Sequence, residues 1–127
     1  MDKVAMIARY LLGLVFFVFG LNGFFGFLPP PEVPEGAAQA FMGGLAGTGY
    51  FFVLLKITET VSGALLLAGR YVPLALLLLA PVVVNIAAYH IFLDPTPQPL
   101  VIATLLVVCG IVVARSKWSA FKGVLAK

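Results

Sequence analysis

Residues 50–93 read YFFVLLKITETVSGALLLAGRYVPLALLLLAPVVVNIAAYHIFL, and this stretch decides the fold class. Two apolar runs, Tyr50 to Gly69 and Val72 to Leu93, are parted only by Arg70 and Tyr71. A helix of about 20 apolar residues crosses a hydrocarbon layer of roughly 30 Å, because it satisfies its own backbone where no water is present. Working outward, Val4 to Leu28 and Pro99 to Ala114 repeat the pattern. The fourth run is the shortest. At 1.5 Å per residue it covers only ~24 Å, which predicts snorkelling by Arg115 and Lys117 or local thinning of the bilayer. The predicted fold is therefore an all-α integral membrane protein, a bundle of four transmembrane helices in a single domain over 1–127.

Composition excludes a soluble domain. The 127 residues are 62% hydrophobic and 10% charged, with a mean hydropathy of +1.12. A lone cysteine, Cys109, lies in an apolar run. This rules out an internal disulfide or a dithiol pair and reads as a small core residue. The net charge of +3 does not call for nucleic acid, since the basic residues flank apolar runs as membrane topology requires. Lys3 and Arg9 imitate a secretory signal. The run that follows is too long, however, and passes Leu28 into Pro29, Pro30 and Pro31 without a small-residue cleavage site, so it reads as a retained span.

Sorted by loop, Lys3, Arg9, Arg70, Arg115, Lys117, Lys122 and Lys127 fall on one side, and Glu32, Glu35 and Asp94 on the other. The positive-inside rule makes the basic side cytoplasmic. The expectation is a multi-pass protein of a bacterial or archaeal cytoplasmic (inner) membrane, N-in and C-in, with the lipid bilayer as its first partner. Between spans one and two, Pro29 to Pro34 stops a helix and Gly36 to Gly49 resumes one. Phe41, Met42 and Leu45 share a face there, which predicts a short interfacial helix or a cap on the bundle. The tail from Ser116 to Lys127 is amphipathic, with Trp118, Phe121 and Leu125 on one face, and is predicted to form an interfacial helix. Gly13, Gly20 and Gly23 suit bundle packing or a homodimer contact equally well. No internal repeat supports an inverted-repeat transporter.

The strongest chemical signal is Lys56 and Glu59 within one span, since a charge at mid-bilayer costs on the order of 3 kcal/mol. At i and i+3 they share a face and can pair. Asn22 and Asn85 are the other strong polar groups at depth, while Thr58, Thr60 and Ser62 can bond their own backbone. Tyr89 lies one turn beyond Asn85, and His90 and Asp94 stand one turn apart near the outer end. Counting inward at 1.5 Å per residue puts Asn22 at ~8 Å, Lys56 at ~9 Å, Asn85 at ~10 Å and Glu59 at ~14 Å. All lie in the outer half, so a cavity built on them opens outward. Pro81 is predicted to kink the third span below Asn85. The candidate ligand-binding residues are thus Asn22, Lys56, Glu59, Asn85, Tyr89 and His90. The competing reading is a polar staple that fixes helix register. His90 has no second His or Cys at ligand spacing, so no metal is predicted. No triad, nucleotide-binding or haem-attachment pattern provides a self-contained catalytic centre.

RYLLGLVFFVFGLNGFFGFLP at 9–29, TGYFFVLLKITETVSGALLLAGRYVPLALLLLAPVVVNIAAYHIF at 48–92 and the short fourth span resemble the DoxX family of small four-span membrane proteins. That family includes the DoxD-like subunit of thiosulfate:quinone oxidoreductase. Arg9, Asn22, Lys56, Glu59, Gly63, Asn85 and His90 fall where the family's polar and small residues lie. The resemblance implies a four-helix bundle similar to that of sterol-isomerase-like and sigma-2-receptor-like membrane proteins, an analogy of fold only. It also implies a redox-associated accessory role with no intrinsic cofactor, in which a bound quinone and membrane or soluble redox subunits carry the electrons. Lys56 and Glu59 would then bond a quinone carbonyl and handle its proton, with Asn22 and Asn85 fixing its orientation. The alternatives are a non-enzymatic assembly or chaperone-like protein and a small transporter, the latter opposed by an apolar inner half.

Overall fold

The fold is that of a computed structural model describing residues 2–28 and 33–126. The described residues form six helices: α1 Lys3–Phe25, α2 Ala37–Gly47, α3 Phe51–Ala68, α4 Val72–Phe92, α5 Pro97–Ser116 and α6 Trp118–Phe121. Of these, α1, α3, α4 and α5 are long and apolar enough to cross a membrane. Pro29 to Glu32 and Lys127, which entered the predictions for the helix stop and the charge count, lie outside the described residues.

Local chemistry sets the helix ends. Asp2 opens α1, its Oδ1 accepting from Ala5 N at 2.8 Å. The helix ends at Phe25 rather than at the predicted Leu28, because Gly26 takes the left-handed conformation at φ 63° and its N–H returns to Asn22 O. Gly69 closes α3 in the same way at φ 71°. The fourth span is longer than its apolar run. Thr96 and Pro97 start α5 early, and it continues through Arg115 to Ser116, 20 residues in all. At 1.5 Å per residue that is ~30 Å, enough to cross without thinning. The tail is amphipathic as predicted, but its regular helix is the single turn of α6, from which buried Phe121 joins the core.

The spans form a ring in which α1 and α4 each pack on both α3 and α5. Leu12, Phe16, Leu66, Leu79 and Val113 are fully buried along its axis, while Leu14, Val53, Leu74 and Val101 face outward, as a lipid solvent requires. The α1–α3 seam is the closest, and glycine makes it so. A Cβ on Gly20 would lie 2.6 Å from Thr60 N, and one on Gly63 would lie 2.8 Å from Phe17 Cα. Of the two roles open to the first-span glycines, Gly13, Gly20 and Gly23 serve packing against α3 within the bundle. At the other end of the seam Arg9 is 9% exposed. Its Nη1 donates to Leu66 O at 2.9 Å, and its guanidinium stands 4.5 Å above the Tyr10 ring. It thereby satisfies a terminal carbonyl of α3 with a cation, where the helix dipole favours one.

Candidate functional site

Lys56 and Glu59 project from adjacent turns of α3. Lys56 Nζ donates to Glu59 Oε2 at 3.2 Å, with the lysine side chain 25% exposed and the glutamate side chain 6% exposed. Two other polar groups of the helix are turned on its own backbone. Thr60 Oγ1 donates to Lys56 O at 2.7 Å and Thr58 Oγ1 to Leu54 O at 2.9 Å. Ser62 departs from that expectation: it is fully buried and its Oγ has no partner.

Lys56 forms one wall of a recess of about 290 Å³, completed by Gly23 and Phe24 of α1 and Phe52 and Val53 of α3. Phe24 and Val53 are exposed, so the recess is open at its side, where acyl chains lie. The absence of a side chain at Gly23 leaves room for the lysine stem to run along α1 before bending to Glu59. The result is an ammonium at the edge of an aromatic hollow, held by a buried carboxylate. Such a group can donate to a ligand acceptor while its own charge stays compensated.

The remaining predicted site residues do not line this recess. Asn22 is half-buried beside Gly23, and its Oδ1 accepts from Leu28 N at 2.7 Å, tying down the chain that leaves α1. Tyr89 and His90 are half-buried at the outer end of α4. The Tyr89 ring lies 5.9 Å from that of Phe41, so α2 covers this corner of the bundle. His90 Nδ1 is buried without a partner. Asp94 is buried one turn on and accepts from Thr96 Oγ1 at 3.1 Å. Asn85 stands apart. It is exposed, on the side of α4 away from the core, and its Nδ2 donates to Pro81 O at 2.8 Å. The α4 helix runs through Pro81 from Val72 to Phe92 as one element. Gly23, Phe24, Phe52 and Val53 were not among the predicted site residues. Apolar residues of a span carry no sequence signal that separates a recess wall from a lipid-facing surface.

A family model described as DoxX matches residues 4–93, from the start of α1 to the end of α4. The chain belongs to the DoxX family. The match takes in the Lys56–Glu59 pair and the whole recess, and it stops short of α5. No curated protein and no solved structure matches this DoxX protein. Among the described residues, no three His, Cys, Asp or Glu side chains converge as a metal site.

Proposed function

We propose that this DoxX protein is a redox-associated accessory subunit that holds a quinone, or a similar apolar molecule with a hydrogen-bond acceptor, in the Lys56 recess. The observation that carries this reading is the half-buried Lys56, paired with buried Glu59, at the edge of a hollow that opens toward lipid. Lys56 spends one of its three N–H donors on Glu59, which leaves two for a carbonyl oxygen. Glu59 holds the ammonium in place and can take up or release a proton beside the bound ring. Phe24 and Phe52 provide faces against which a planar ring packs. A quinone, when bound, supplies the electron-accepting chemistry. Membrane or soluble partner subunits deliver the electrons, since no intrinsic redox motif is legible in the chain. Apart from Lys56, the basic residues among those described gather at the end of the bundle opposite the recess. The positive-inside rule then turns the recess to the outer face of a bacterial or archaeal inner membrane.

The test uses a short-chain benzoquinone in detergent micelles. The wild-type protein gains thermal stability with added quinone, whereas Lys56→Met and Glu59→Gln, each folded by circular dichroism, do not. Equal stabilisation of all three overturns the reading. Loss of co-purifying membrane subunits in the variants, with no quinone effect in any protein, favours the assembly role instead.

A further inference from the structure

Asn85 lies seven residues from the outer end of α4, ~10 Å into the apolar layer, and is exposed. The core side of α4 is formed by Val72, Ala75, Leu76 and Leu79. The outward side carries Leu74, Leu78 and Val84, the last 65% exposed. The Asn85 amide bonds only its own helix, through Nδ2 to Pro81 O at 2.8 Å. Its second N–H and its Oδ1 have no partner among the described residues. Acyl chains offer neither a donor nor an acceptor, so this carboxamide meets a solvent that cannot complete its bonding.

The shape of the surrounding surface suits another helix. Pro81, one turn before Asn85, and Ala88, one turn after it, are short side chains on the same side, which lets a second backbone come close. A carboxamide is also its own complement, since it carries a donor and an acceptor in one group. A twofold axis along the membrane normal brings two Asn85 side chains to the same depth with donor facing acceptor, a condition that a different partner meets only with a polar group of its own at that depth. We infer that the Asn85 side of α4 is the interface between two copies of this chain, centred on a reciprocal Asn85 amide pair flanked by Pro81 and Ala88. The inference is independent of the quinone reading.

Resonance energy transfer between differently labelled copies in proteoliposomes, followed as the protein is diluted into lipid, measures the association. Asn85→Val dissociates at a concentration at least about tenfold higher than wild type, and Asn85→Gln, which keeps the amide, stays close to wild type. A second measurement leaves the amide intact. In a Cys109→Ala background, Val84→Cys forms a disulfide between copies, whereas Leu105→Cys, at similar depth on the outward side of α5, does not. A wild type that is monomeric across the dilution series, unchanged association in Asn85→Val, or cross-linking through position 105 in place of 84 overturns the inference.

Discussion

Gly23 of α1 lies against the aliphatic stem of Lys56, so closely that a Cβ on the glycine would come within 2.6 Å of Lys56 Cδ. This contact joins the packing of the bundle to the geometry of the recess, because the absence of a side chain on one helix lets the charged side chain of its neighbour lie flat.

Substitutions along the seam therefore separate into two kinds. Gly23→Ala displaces a flexible stem, so the protein folds and its stabilisation by quinone falls. Gly63→Ala meets the backbone of Phe17 and lowers stability by about 1–3 kcal/mol. Gly110→Ala meets nothing within 4 Å and is neutral or stabilising by up to ~1 kcal/mol. Reversible unfolding in mixed micelles ranks the three, and a Gly63→Ala protein as stable as Gly110→Ala would refute the close approach of α1 and α3.

Removing one member of the Lys56–Glu59 pair leaves an uncompensated charge in an apolar setting. Lys56→Met and Glu59→Gln are each expected to lose stability, Lys56→Met by about 3 kcal/mol because it strands the carboxylate. The double variant Lys56→Met, Glu59→Leu loses less than the sum of the single changes, since it removes both charges. A double-mutant cycle by the same unfolding measurement reads the coupling, and strictly additive losses would show that the two side chains do not pair in the membrane.

Orientation is open to chemical labelling. In a Cys109→Ala background, Gly36→Cys beside α2 reacts with a membrane-impermeant maleimide added to intact cells, and Arg70→Cys in the α3–α4 turn reacts only after the membrane is opened. The reverse pattern would place the recess on the cytoplasmic face and contradict the charge-based topology.

The legibility of this chain follows from what a bilayer demands. Each span must be long, apolar and internally hydrogen-bonded, so the limits of α3 and α4 can be read from the runs at 50–69 and 72–93 to within one residue of the structure. The ends that were read less well are those where short-range chemistry overrides hydropathy. Gly26 stops α1 inside an apolar run, and Pro97 starts α5 ahead of one. The pairing of Lys56 with Glu59 was also legible, because a spacing of three residues on one helix needs no knowledge of any other element.

What one chain's hydropathy cannot state is how each helix is rotated about its axis. Glu59 and Asn85 read alike as polar residues in apolar spans, yet one is 4% exposed and the other faces out of the bundle. In water, an apolar stripe marks the buried side of a helix. In a bilayer, lipid and protein interior are equally apolar, so the mark is lost and only side-chain packing sets the rotation. Sequence alone determined that this protein crosses the membrane four times, and where. Packing of Gly20 on Thr60 and of Gly23 on Lys56 decided which polar groups share a recess and which one was left to face the lipid.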